Sequence, residues 1–154
     1  MKNIEKDLTI LIIDDDDHIR SVLKDYILNE ELGTVVGEAT DGEEGVKMYK
    51  QLQPAIVFLD VLMPFQNGLE TLLQILAYDP QAKVIMMTVL SELQYIVELV
   101  KAGACNYLTK PFHLQQLRKI IKETRQISSL SPQQRIADRL QKELKTDYGE
   151  FDFD

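Results

Sequence analysis

The chain has 154 residues, a net charge of −8 at pH 7, one cysteine, and 45% hydrophobic against 27% charged residues. This length and composition suit one globular domain with a full hydrophobic core and a short extension. The acidic balance argues against binding to a nucleic-acid backbone, and no run approaches the roughly 18 apolar residues that a transmembrane helix needs. One cysteine allows no intrachain disulfide, and the N-terminus lacks the apolar core of a signal peptide, so a reducing cytoplasm is the expected setting.

Strand-like and helix-like segments alternate along the chain. Short, mostly apolar segments, of which the first and third are rich in Ile and Val, predict strands at 8–13, 34–39, 56–59, 83–88 and 106–109. After each strand, apolar residues recur at helical spacing, and in the third of these predicted helices they are Leu69, Leu72, Leu73, Leu76 and Ala77. This alternation predicts a doubly wound α/β fold with a parallel sheet covered on both faces. We expect this domain to occupy residues 1–127, followed by a linker, a helix and an acidic tail at 128–154.

Carboxylates collect at the C-terminal ends of two predicted strands. Residues 14–17 are four aspartates that follow the first strand, and Asp60 ends the third. In an open parallel sheet, that edge is where ligands bind. Carboxylates gathered there repel one another unless a hard cation neutralises them, and oxygen-rich sites suit Mg2+. Asp16, Asp17 and Asp41 stand at the starts of predicted helices and are interpreted as caps or helix-dipole partners.

Further polar residues follow the fourth and fifth predicted strands. The complete ordered set comprises Asp14, Asp15, Asp60-Val61-Leu62-Met63-Pro64, Gly68, Thr88 and Lys110-Pro111-Phe112. Over about residues 7–125, this set closely resembles the receiver domain of two-component response regulators. From the resemblance we expect a flavodoxin-like sheet with strand order 2-1-3-4-5, and a cytoplasmic signalling protein that is not an enzyme.

The chemistry of these residues supports a phosphoryl-transfer site. Asp60 is the candidate phosphorylation site, because a carboxylate can accept a phosphoryl group as an acyl phosphate. Asp14 and Asp15, together with Asp60, would hold Mg2+, which offsets charge on the phosphoryl oxygens. Lys110 would place a positive charge on the phosphate, and Thr88 would donate a hydroxyl hydrogen bond to it.

The resemblance assigns the same roles and adds others. It implies that the backbone carbonyl of Leu62 is a further metal ligand and that the peptide bond before Pro111 is cis. It also implies a switch in which Thr88 and Tyr107 move together and alter the surface made by the fourth helix, fifth strand and fifth helix.

The expected partners follow from the same resemblance. A histidine kinase or a phosphotransfer protein would donate the phosphoryl group, and a downstream protein or output domain would respond to it. The surface of the fourth helix, fifth strand and fifth helix, and the C-terminal helix, are candidate homodimer interfaces. Neither nucleic acid nor a membrane is an expected partner of this chain.

Two other functions stay open at this point. An aspartate-nucleophile phosphatase carries Asp-x-Asp after its first strand, and Asp14-x-Asp16 fits that spacing, although the chain offers no large cap segment for a substrate pocket. A phosphorylation-independent interaction module could be built on the same fold. Such a module would not require three acids together with Thr88 and Lys110, so the presence of the complete set argues against it.

Bulky apolar residues flank the predicted site. In the receiver family, the residues two after the nucleophile and two after the switch threonine lie beside the path of the water that hydrolyses the acyl phosphate. Here they are Leu62 and Leu90, and Val89 stands where alanine or glycine is usual. Neither leucine can orient a water by hydrogen bonding, so we expect slow loss of the phosphoryl group.

The C-terminal extension carries a helical pattern. Residues 131–134 have the sequence Ser-Pro-Gln-Gln, which is typical of a helix start, and Ile136, Leu140 and Leu144 then fall four apart on one face. Such a helix either covers an apolar patch of the domain or mediates dimerisation or partner binding. The sequence favours neither interpretation.

Overall fold

The computed structural model describes residues 8–63, 67–90, 92–127 and 141 of the chain. The strands are β1 (Thr9–Ile13), β2 (Thr34–Ala39), β3 (Ile56–Asp60), β4 (Val84–Thr88) and β5 (Asn106–Thr109). The helices are α1 (Asp17–Asn29), α2 (Gly42–Leu52), α3 (Gly68–Tyr78), α4 (Leu93–Lys101) and α5 (Leu114–Arg125). All strands are parallel, in the order β2-β1-β3-β4-β5. The predicted fold class and strand order are therefore confirmed.

The sheet separates the hydrophobic core into two halves. Successive residues of a strand point to opposite faces, so each buried strand contributes to both halves. On β1, Leu11 and Ile13 pack into the half under α2, α3 and α4, whereas Ile10 and Ile12 pack into the half under α1 and α5. All of these side chains are fully buried. Burial on both faces explains why this strand is a continuous apolar run.

Helix starts follow the capping chemistry that the sequence indicates. The side chain of Asp16 accepts a hydrogen bond from the backbone N–H of His18 over 2.8 Å, and that of Asp41 accepts one from Glu44 over 2.8 Å. These bonds satisfy N–H groups that have no partner within the helix, so both aspartates are confirmed as N-caps of α1 and α2. Asp17 lies in the first turn of α1, where its charge complements the helix dipole.

The buried face of α3 includes only some of its apolar residues. Leu72 and Ile75 are fully buried, whereas Leu73 is 50% exposed and Ala77 is also exposed. Leu73 and Ala77 share the apolar spacing of this helix but do not face the core. Apolar residues cover more than one face of this helix, so spacing alone does not select the face that packs on the sheet.

The predicted C-terminal helix lies almost entirely outside the described residues, and both interpretations of it stay open. The division into residues 1–127 and 128–154 also stays a prediction. Among the helices of the described segments, none is long and apolar enough to cross a membrane.

Candidate functional site

The parallel register brings the predicted site residues to one edge of the sheet. Asp60 is the last residue of β3, and Thr88 and Thr109 lie opposite each other at the ends of β4 and β5. Asp14 directly follows β1, and Lys110 directly follows β5. The residues come from four strand ends that are far apart in the sequence. The edge is the one at which doubly wound sheets bind ligands.

Lys110 joins two of the acids. Its Nζ donates hydrogen bonds to Asp14 Oδ2 over 2.9 Å and to Asp60 Oδ1 over 3.1 Å. The side chains of Asp14 and Asp60 are 0% and 7% exposed, and that of Lys110 is 13% exposed. Two buried carboxylates therefore share one ammonium group. The three side chains together leave a net negative charge in a region from which water is largely excluded.

Asp15 completes an acidic cluster. One carboxylate oxygen from each of Asp14, Asp15 and Asp60 lies within 4.8 Å of the others. Asp15 is exposed, whereas the other two acids are buried, so the cluster opens to solvent on one side. Converging carboxylates with solvent access fit Mg2+, which binds through a few carboxylates and keeps several of its waters.

The cluster changes the proton affinity of its members. The pKa of Asp60 is raised from 3.8 to about 7, chiefly by burial and further by the charge of Asp14, while Lys110 opposes the shift. Burial lowers the pKa of Lys110, but its contacts with Asp14 and Asp60 outweigh that effect and hold the pKa above the ordinary value. Lys110 therefore stays protonated, and a further cation would favour the ionised form of Asp60.

The two oxygens of Asp60 differ in their contacts. Asp60 Oδ1 accepts hydrogen bonds from Lys110 Nζ and, over 3.4 Å, from the backbone N–H of Leu62. Among the described residues, Asp60 Oδ2 accepts no hydrogen bond. Asp14 is different, because its Oδ1 accepts from the backbone N–H of Asp16 over 2.9 Å and its Oδ2 from Lys110. Of the two buried carboxylates, Asp60 has the oxygen that is freer to react.

Thr88 is buried at the end of β4, and its Oγ1 accepts a hydrogen bond from the backbone N–H of Leu90 over 2.8 Å. That bond occupies an acceptor position and leaves the hydroxyl hydrogen to be donated elsewhere. The backbone carbonyl of Thr88 also accepts from the backbone N–H of Lys110 over 2.7 Å. The main chains at the ends of β4 and β5 are therefore tied together. The peptide bond between Lys110 and Pro111 is cis.

A cavity of about 190 Å³ opens beside Thr88, between the loop after β3 and helix α4. Leu62 and Leu90 both contribute to its wall. Leu62 is 55% exposed, so it places apolar surface next to the acidic cluster. The two leucines lie on the Thr88 side of the site.

Tyr107 lies on β5 opposite Met86 of β4, two residues before Thr88. It is half-buried and packs against the core half under α2, α3 and α4. Thr88 and Tyr107 thus belong to neighbouring strands. Their coupled motion stays a prediction.

One residue near the site was not predicted from the sequence. Arg20 of α1 donates from Nη1 to the backbone carbonyl of Asp14 over 2.6 Å and from Nε to Glu38 Oε1 over 3.2 Å, and it forms an ion pair with Asp17. A partial signal was present, because Asp17 and Arg20 are three residues apart on a predicted helix and can therefore pair. Nothing in the spacing indicates the contact with the Asp14 carbonyl.

The fold and the residues at its edge define a class of protein. The family model for the response regulator receiver domain matches residues 10–122. The chain therefore belongs to the response regulator receiver family, whose members act in two-component signalling.

Similar proteins of known family span most of the chain. The chemotaxis protein CheY of Thermotoga maritima is 38% identical over 117 residues, which cover 73% of this chain and 97% of that protein. The probable C4-dicarboxylate response regulator DctR of Priestia megaterium is 35% identical over 121 residues, covering 79% of this chain and 53% of that protein.

Solved structures agree with this assignment. The response regulator domain of Thermotoga maritima CheB superposes with a TM-score of 0.71 at 32% identity, covering 82% of this chain and 99% of that one. A CheX–CheY–BeF3–magnesium complex from Borrelia burgdorferi matches with a TM-score of 0.70 at 29% identity, covering 78% of this chain and 88% of that one.

Proposed function

We propose that this chain receives the phosphoryl group in a cytoplasmic two-component phosphorelay. A histidine kinase or a phosphotransfer protein donates the group to Asp60, and a downstream protein or output domain responds to the phosphorylated form. The observation that carries the proposal is the single Lys110 ammonium that bridges Asp14 and Asp60 beside a third acid. This arrangement suits phosphoryl transfer, which depends mainly on positioning and on neutralising charge.

Each residue of the site has a role in that transfer. The Oδ2 of Asp60, which accepts no hydrogen bond from the described residues, attacks phosphorus. The bond from phosphorus to the donor imidazole nitrogen breaks, and a phosphorus–oxygen bond forms. Mg2+, held by Asp14, Asp15, Asp60 and the carbonyl of Leu62, would supply positive charge to the phosphoryl oxygens.

Two further groups complete the binding of the phosphoryl oxygens. Lys110 supplies the second cation and already lies 3.1 Å from Asp60. Thr88 donates its hydroxyl hydrogen, and its movement is coupled to Tyr107 as the switch. The peptide bond that follows Lys110, before Pro111, is cis.

The surface that changes is formed by α4, β5 and α5, and it is the candidate site for a downstream partner or for a second copy of this chain. The C-terminal helix is an alternative dimer interface. One similar CheY is seen with CheX, beryllofluoride and magnesium, which supports a protein partner that recognises a phosphoryl-like state. The net charge of −8 supports the absence of nucleic acid among the direct partners of this chain.

The test is incubation with acetyl phosphate and Mg2+, followed by mass spectrometry of the labelled peptide. The proposal expects one phosphoryl group on Asp60 and none on the Asp60→Asn variant. Label on Asp14 would support an aspartate-nucleophile phosphatase instead. An unlabelled but folded protein, in the presence of Mg2+ and of EDTA alike, would support a phosphorylation-independent interaction module.

A further inference from the structure

Arg20 connects α1 with the acidic loop after β1 and with β2. Its side chain is only 12% exposed, although it is charged. The guanidinium group reaches three acceptors, namely the backbone carbonyl of Asp14 at 2.6 Å, Glu38 Oε1 at 3.2 Å, and the carboxylate of Asp17. A planar group with five donors on three nitrogens can reach such separate acceptors at once, whereas a lysine ammonium carries its three donors on a single nitrogen.

The contact with the Asp14 carbonyl bears on the acidic cluster. That carbonyl belongs to the same planar peptide unit as the backbone nitrogen of Asp15. The hydrogen bond from Arg20 therefore fixes the orientation of the peptide unit to which the Cα of Asp15 is attached. On its other side, the backbone N–H of Asp14 donates to the carbonyl of Ala39 over 3.0 Å. The main chain of Asp14 is therefore held from β2 and from α1 at once.

Asp15 depends on this backbone support more than its neighbours do. The carboxylate of Asp14 is held by Lys110 and by the backbone N–H of Asp16. The carboxylate of Asp15 accepts no hydrogen bond from the described residues, and it is exposed. Its place within 4.8 Å of the other two acids is thus set mainly by its main chain.

We propose that Arg20 is a positioning residue for divalent-cation binding, which fixes the Asp14–Asp15 peptide so that the Asp15 carboxylate converges on Asp14 and Asp60. The inference rests on the proposed Mg2+ site. Partners that orient metal ligands without touching the metal typically change metal affinity by about 10- to 100-fold when they are removed.

The direction in which Mg2+ affinity changes when Arg20 is removed distinguishes a positioning role from a purely electrostatic one. Arg20 carries a positive charge close to the acidic cluster, and a positive charge disfavours the binding of a cation. If Arg20 acted only through its charge, removing it would tighten Mg2+ binding. If it positions Asp15, removing it weakens Mg2+ binding in spite of the lost repulsion.

Mg2+ affinity of the whole chain, measured by calorimetric titration and by NMR shifts of the backbone amides at residues 14–16, tests the proposal. We expect Arg20→Gln to bind Mg2+ about tenfold more weakly than wild type. Arg20→Lys keeps the charge but loses the planar fork, so it should also bind more weakly, by a smaller factor. This variant serves in place of Arg20→Gln if the latter does not fold.

Glu38→Gln is the matched control. It breaks the ion pairs of Glu38 with Arg20 and Lys24 but leaves the bond from Arg20 to the Asp14 carbonyl in place. Unfolding in EDTA should show a stability loss for Glu38→Gln, while its Mg2+ affinity should stay within about twofold of wild type. An equal loss of affinity in Glu38→Gln would show that Arg20 acts through general stability.

The outcomes distinguish the two proposals. Wild-type protein that binds no Mg2+ overturns the proposed metal site and the inference with it. Wild-type protein that binds Mg2+, together with Arg20 variants that bind it equally well or more tightly, overturns the positioning role alone.

Discussion

Replacing Asp60 with asparagine should stabilise the metal-free protein. The native carboxyl group has its pKa raised from 3.8 to about 7, because it is buried and lies near Asp14. Between these two values the native state binds a proton that the unfolded chain has released. The free energy of unfolding therefore falls as pH rises through this range, and it becomes level above about pH 7. Asparagine does not ionise, so the variant lacks this contribution to the pH dependence of the free energy of unfolding.

The pKa of Asp60 sets an upper limit to the effect. A shift of about three pKa units corresponds to about 4 kcal/mol at 1.4 kcal/mol per unit. At about pH 5 only the first unit or so of this cost is present, which is about 1–2 kcal/mol before any relaxation of the site. Since relaxation of the site will reduce the full value, we expect Asp60→Asn to gain about 2 kcal/mol at pH 8 and clearly less at pH 5.

Urea unfolding in EDTA, followed by far-UV circular dichroism at both pH values, measures this difference; the chain contains no tryptophan for fluorescence. Saturating Mg2+ should then stabilise wild type more than Asp60→Asn, because the ion binds the native acids. Asp41→Asn is the control, since it removes an acid outside the cluster and asparagine caps helices as well as aspartate does. A variant less stable than wild type in EDTA, or a gain that does not change with pH, would refute the reasoning.

Three further outcomes are expected. Thr88→Ala should bind beryllofluoride without the wild-type change in the NMR signals of Tyr107, because the hydroxyl that couples the two is missing. Leu62→Asn combined with Leu90→Glu should speed phosphate release from the isolated phosphorylated protein by at least about tenfold, or 1.4 kcal/mol of barrier, because polar side chains can orient the attacking water. Gly68→Ala should lower the free energy of unfolding by about 1–3 kcal/mol, because a Cβ there would meet the carbonyl oxygen of Asp60 at 2.1 Å.

Each of these has its own contrary result. A full response of Tyr107 in Thr88→Ala would disprove the coupling. A half-life of seconds for the wild-type acyl phosphate, or a double variant no faster than wild type, would show that the leucines do not limit hydrolysis. Unchanged stability of Gly68→Ala, judged against an alanine at the exposed Glu70 of the same helix, would mean that the loop moves aside without cost.

The sequence by itself determined the architecture and predicted most members of the candidate site. Continuous apolar segments predict strands buried on both faces, and the alternation with helices then leaves the parallel doubly wound sheet as the expected arrangement. Since parallel strands end at a common edge, the positions of Asp14, Asp60 and Lys110 after their strands already predict that they meet. The caps Asp16 and Asp41 were predictable because capping is a local interaction.

The tertiary structure decided what depends on contacts between distant segments. Lys110 pairs with Asp14 across 96 residues of sequence, and no local pattern indicates that one ammonium is shared with Asp60. The raised pKa of Asp60 depends on burial and on neighbouring charge, which exist only once the chain is folded. Ile75 faces the core, whereas Leu73 is exposed. Packing of the helix against the sheet selects the buried face, and helical spacing alone does not.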